Sequence, residues 1–165
     1  LYYRESENAT TPGPYAFLGG EDAGARGTEE PATVLRLGST SSLDFGKESF
    51  PGRGLYRVRY LLRSSGTGEE SPQILVREQL AFPEIRDDAR RIALANNVSQ
   101  AKVSFVHSGG RSRSSWDSSA RESGEGRPPL PQGLVFSLTL QSGEGTERVY
   151  RMQFAVNGSV SNEGG

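Results

Sequence analysis

Apolar and polar residues alternate with a period of two along much of this chain, which is the pattern of strands that bury one face. In LYRVRYLLR (55–63), Tyr56, Val58, Tyr60 and Leu62 fall on one side, and Arg57, Arg59 and Arg63 on the other. QILVREQLAF (73–82) repeats the alternation, with Ile74, Val76, Leu80 and Phe82 expected inward. QAKVSFVH (100–107) groups Ala101, Val103 and Phe105 against Lys102 and Ser104. GLVFSLTLQ (133–141) aligns Leu134, Phe136, Leu138 and Leu140, and RVYRMQFAV (148–156) aligns Tyr150, Met152, Phe154 and Val156. Such segments predict half-buried antiparallel strands with a polar outer side.

The connections agree. SSGTGEES (64–71) and SGEGTE (142–147) carry the Gly and Ser that tight hairpins use. PYAFLGG (14–20) and ATVLRLGS (32–39) are weaker strand candidates. EIRDDARRIALANN (84–97) could hold a helical turn, its charges forming a solvated face, and otherwise only the first few residues look helical. The expected fold is therefore mainly β, with two antiparallel sheets or one strongly curved sheet. Tyr60, Val76, Phe105, Phe136 and Phe154 are its expected core. A parallel α/β arrangement is excluded, because hairpin spacings leave no room for crossover helices.

Length and composition refine this picture. The 165 residues suit one domain, 1–165, yet only 33% are hydrophobic, and Gly 21 and Pro 9 imply long turns and loops. The longest is the Ser/Gly/Arg/Pro-rich loop 108–131, which holds the only tryptophan, Trp116. Trp116 is either an exposed residue of a loose loop or an anchor folded back on the sheet. Pro128, Pro129 and Pro131 stiffen the re-entry.

Candidate chemistry is sparse. The net charge of −1 comes from dispersed charges and provides no basic stripe for nucleic acid. Without cysteine there is neither disulfide nor thiolate chemistry. The single histidine, His107, ends a strand beside Ser-Gly-Gly with no partner in sequence, and reads as a surface residue. Neither HExxH, GxSxG, a Walker pattern nor a calcium loop occurs. The sequons at Asn8, Asn97 and Asn157 are weak signals in so Ser/Thr-rich a chain. The residues thus nominate no catalytic, metal-binding or cofactor-binding site, and no cofactor is expected.

The ordered segments carry a family resemblance. Arg57 to Tyr60, Leu75 to Glu78 (L-x-R-E), Leu94 to Phe105, the Trp-bearing Ser115 to Asp117, and Leu130 to Leu140 leading into the closing strand resemble minor pseudopilin J of the bacterial type II secretion system. PYAFLGG and VLRLGST also look like the family's early strands. For Trp116 the resemblance implies the anchor, and burying an aromatic contributes on the order of 2–3 kcal/mol, enough to tie down a loop against its chain entropy. The family's prepilin peptide and long apolar helix are absent, and the chain opens on LYYRESENATTPGP, without Met.

The resemblance implies a non-catalytic assembly protein: a periplasmic domain held at the inner membrane by an upstream helix. Its implied partners are pseudopilins I and K, possibly H, at the tip of the filament that exports proteins across the outer membrane. Leu1, Tyr2 and Tyr3 mark where that helix would enter, and are the expected partner-binding residues. Two other classes stay open: a type IV minor pilin or an adhesive, carbohydrate-binding β-domain, and an enzyme with a site around His107.

Overall fold

The computed structural model describes residues 17–20, 32–39, 56–66, 72–81, 89–107, 109–118, 130–143 and 145–156. The described residues form nine strands: β1 (Leu18–Gly19), β2 (Ala32–Ser39), β3 (Tyr56–Ser64), β4 (Gln73–Ala81), β5 (Arg90–Val106), β6 (Ser112–Arg113), β7 (Trp116–Asp117), β8 (Gly133–Gln141) and β9 (Glu147–Ala155). All pairings are antiparallel, in the order β7-β1-β2-β3-β4-β5-β8-β9, with β6 added to β5. The chain is mainly β: one strongly curled antiparallel sheet, a half-barrel. Among the described residues there is no α-helix, and so no helix long and apolar enough to cross a membrane.

The curl can be read from one ring pair. Tyr60 on β3 and Phe136 on β8 have ring centroids 6.3 Å apart, although β4 and β5 lie between their strands. In a flat sheet three strand spacings would separate them by about 14 Å. Rolling the sheet brings Leu35, Leu75, Val98, Val103, Phe105, Leu134, Phe136 and Leu138 into one core on the concave face. Phe105 is fully buried at its centre, with Phe17 edge-on at 5.9 Å.

Two expectations about the core are corrected, one by register and one by position in the sheet. Tyr60 lies opposite Arg77 and Leu61 opposite Val76, so Ile74, Val76 and Leu80 share a face with the arginines of β3, away from Tyr56, Val58, Tyr60 and Leu62. Leu75, Arg77 and Gln79 take the concave face instead. As a central strand, β4 is buried on both sides from Leu75 to Leu80, and a two-sided strand cannot be oriented by alternation alone.

The second correction concerns Phe154, which is 49% exposed rather than core. Its register opposite Leu134 does put it on the concave face, but β9 is the last strand of the sheet and nothing described lies over it. Phe82 lies outside the described residues.

The candidate helical turn at 84–97 is strand from Arg90 onward; residues 84–88 lie outside the described residues. Here β5 changes partner, pairing β4 through Val98 and β8 from Val98 to Val106. Asn97 adopts φ 54° inside the register shift that spans Ala95 to Val98 against β4, just before a second shift between Val98 and Gln100 against β8. A residue in the left-handed region inserts a bulge that bends a long strand, and Asn tolerates that conformation better than most. The bend lets one strand serve both halves of the sheet.

Candidate interaction surface at the sheet edge

The loop after β5 returns to the sheet at once. His107 N–H donates to the Arg111 carbonyl at 2.8 Å, and Gly110 N–H to the His107 carbonyl at 3.0 Å, turning the chain into β6. Three residues later β7 pairs with β1, Trp116 opposite Gly19. Trp116 is 4% exposed, with Phe105 at 6.2 Å, His107 at 5.6 Å and the Arg113 guanidinium 5.9 Å above its ring. Ser118 continues the tie: its N–H donates to the Phe17 carbonyl at 3.0 Å, and its Oγ accepts from Phe17 N–H at 2.9 Å. The loop 108–131 therefore contains two short strands, and its first part spans the concave side from β5 to β1.

His107 packs its ring against Trp116, and no group of three or more metal-ligating side chains occurs among the described residues. The buried polar residues cluster on β4. Glu78, 1% exposed, accepts from Arg59 Nε at 2.8 Å and from Arg91 Nε at 2.8 Å, one arginine from each neighbouring strand. Burial pushes this carboxyl up, but the hydrogen bonds from Arg91 and Arg59 and their charges outweigh it and hold it below the usual 4.5. On the concave face Arg77 Nη1 donates to Gln79 Oε1 at 2.7 Å. These groups are enclosed, and they brace strands.

Among the described residues, what the fold leaves open is β9. Every one of its residues is exposed, including Val149 at 61%, Tyr150 at 46% and Met152 at 41%. Tyr150, Met152 and Phe154 lie opposite Leu138, Phe136 and Leu134, so they prolong the core face beyond the point where the sheet covers itself. The backbone is open as well. Ser142 N–H donates to the Thr146 carbonyl and Val156 N–H to the Gln132 carbonyl, both at 2.9 Å. These bonds set the parity of the ladder: even-numbered residues of β9 bond to β8, and Glu147, Val149, Arg151, Gln153 and Ala155 turn their amides outward. Among the described residues no strand pairs with this outer edge, and an open ladder edge beside an apolar strip is the chemistry of strand addition and protein contact.

Sequence reasoning placed Tyr150, Met152 and Phe154 inside, and so missed this surface. The one signal for it was that they belong to the last strand candidate, behind a hairpin that pairs one side only. Leu1, Tyr2 and Tyr3, the residues expected to bind partners, lie outside the described residues. No protein-family model matches the chain, and neither does any curated protein.

Proposed function

We propose that this chain is the sheet domain of a non-catalytic minor pseudopilin of the type II secretion system. It would stand in the periplasm, anchored at the inner membrane, and join pseudopilins I and K at the pseudopilus tip. What supports the reading is the sequence resemblance together with one structural observation: the segments that carry it all contribute strands to a single sheet. Arg57–Tyr60 lies in β3, Leu75–Glu78 in β4, Leu94–Phe105 in β5, Trp116 in β7 and Leu134–Leu140 in β8. In the L-x-R-E segment the Glu is the buried acid clamped by two arginines, which gives that motif a structural reason. A protein that works by assembly needs surface rather than a reactive centre, and the apolar strip of β9 is such a surface.

Titration calorimetry of the purified chain with pseudopilin I and K domains from the same genome tests the proposal. Saturable heat and co-elution are expected, weakened by Tyr2→Ala with Tyr3→Ala while the sheet stays folded. Absence of heat and co-elution with every cognate minor pseudopilin domain overturns it.

One observation favours the adhesive β-domain as a second reading. Tyr150 and Phe154 stand exposed on one face of β9, four residues apart, about 13 Å along a strand. Exposed aromatics at intervals can stack on sugar rings. Saturable binding to a glycan array, lost in Tyr150→Ala, would select that reading.

A further inference from the structure

We infer that Arg77 and Gln79, on the concave face of β4, form a binding site for a carboxylate. The inference rests on the sheet alone and stands whether or not the pseudopilin reading holds. Arg77 is 5% exposed and Gln79 2%, yet Arg77 Nε and Gln79 Nε2 are enclosed with no acceptor. Their mutual bond, from Arg77 Nη1 to Gln79 Oε1 at 2.7 Å, satisfies one donor only. No carboxylate meets Arg77 among the described residues. Glu78 is the only acid in β2, β3, β4 and β5, and it lies on the opposite face, held by Arg59 and Arg91. A guanidinium withdrawn from water without a counter-charge is costly, and so is an enclosed amide donor left open. A ligand that brings the missing acceptor relieves that cost, and the relief becomes binding free energy.

The arrangement specifies the ligand. Gln79 Oε1 is committed to Nη1, which orients the guanidinium plane and leaves its Nε–Nη2 edge unused by that bond. This edge presents two parallel N–H groups at the spacing of a carboxylate's two oxygens. A planar carboxylate fills it with both oxygens, whereas a tetrahedral phosphate or sulfate leaves two oxygens without donors from the fork. Arg90, opposite Gln79 on β5, adds positive charge at the rim. Access is short as well. Tyr60 and Ile92, opposite Arg77 on β3 and β5, are only half-buried, and so is Arg90. Partly exposed side chains thus border the enclosed donors, and a small anion reaches them without unfolding the sheet.

Thermal unfolding of the 165-residue chain tests the site. Sodium acetate replacing sodium chloride at constant ionic strength should raise the midpoint saturably, by about 2–4 °C. The blocked peptide acetyl-Gly-Glu-Gly-amide is the second probe. A rise with acetate alone assigns the site to small free acids, and a rise with the peptide assigns it to carboxylates carried by a polypeptide. Arg77→Met with Gln79→Leu should unfold at or above the parent's midpoint in chloride and lose the response to both probes. If that variant does not fold, the parent still decides. In proton–nitrogen spectra, acetate should move the Arg77 Nε–H resonance saturably and leave that of the exposed Arg151 in place. No rise with either probe, a rise that does not saturate, a rise the variant shares, an equal saturable rise with sodium sulfate, or a stationary Arg77 resonance each overturns the inference. None of these outcomes bears on binding to pseudopilins I and K.

Discussion

Arg59 and Glu78 lie directly opposite each other on β3 and β4, and Arg59 Nε donates to Glu78 Oε1 at 2.8 Å while Arg91 of β5 holds Oε2. The three side chains form a row across three strands on the convex face. Removing the carboxylate leaves two guanidinium groups facing an enclosed position. Arg91 is half exposed and can turn to water, so the cost falls near the lower end for breaking a buried pair. Glu78→Ala should lose about 3 kcal/mol in urea denaturation. Arg91→Ala should lose about 1 kcal/mol or less.

The same row sets an acid dependence. Glu78 ionises below 4.5 when folded, so its contribution is complete above the unfolded value and disappears as pH falls through the lowered folded one. Glu78→Gln should therefore be less stable than the parent at neutral pH, and the gap should narrow on acidification below 4.5. Parallel urea titrations over that range measure the gap. A gap that stays constant would mean that the carboxylate's charge contributes nothing.

Trp116 ties its loop to Phe105, and Trp116→Ala should cost about 3–5 kcal/mol. Its Nε1 is buried without a hydrogen-bond partner, so Trp116→Phe loses no bond and should cost clearly less than Trp116→Ala. As the only tryptophan it also reports on itself. Native emission should be blue-shifted, and should unfold with the same midpoint as the far-ultraviolet signal. An earlier fluorescence transition would mean that the loop detaches before the sheet.

The β1–β7 junction is tight at two glycines. A Cβ at Gly19 would stand 2.2 Å from Phe105 Cζ, and one at Gly20, where φ is +72°, would stand 1.9 Å from the Ser114 carbonyl oxygen. Either alanine forces a shift, of β1 or the buried Phe105 ring at Gly19, and of β1 or the Ser114 backbone at Gly20. Each should cost about 1–3 kcal/mol, and Trp116 emission should move to the red, because β1 is the strand that Trp116 pairs with.

On the concave face, Arg77 Nε and Gln79 Nε2 are buried with no acceptor. Arg77→Met with Gln79→Leu removes both unpaired donors together and keeps the approximate volume. Stability should be unchanged or higher by about 1 kcal/mol, by thermal or urea unfolding. A loss comparable to that of Glu78→Ala would show that the pair carries structure.

Strand identity was legible in the alternation, because side chains on a strand must point to opposite faces whatever the partners are. The hairpin 142–147 and the strands on either side of it follow from turn chemistry and period two. So does antiparallel pairing, since hairpin spacings leave no room for crossovers, whereas the choice between two sheets and one strongly curved sheet stayed open until the structure showed one. For strands and hairpins the deciding force acts within a few residues of the chain. Trp116 is different: the residues alone left an exposed position and a loop anchor open, and the family resemblance favoured the anchor.

Inside and outside at the ends of the sheet belonged to tertiary structure. Val76 and Phe154 read alike in sequence, as apolar members of alternating strands. One is buried at the centre of the sheet and the other stands open on its edge. The difference is strand order, which is set by pairings between distant segments and by how far the sheet rolls over itself. The extension of β5 through 90–97 depended on two partners flanking a bulge at Asn97, and so on contacts that local propensity does not contain. Glu78 became a clamped acid only when register set Arg59 and Arg91 on either side of it. Periodicity states which residues share a face; only the closed set of pairings decides whether anything lies over that face.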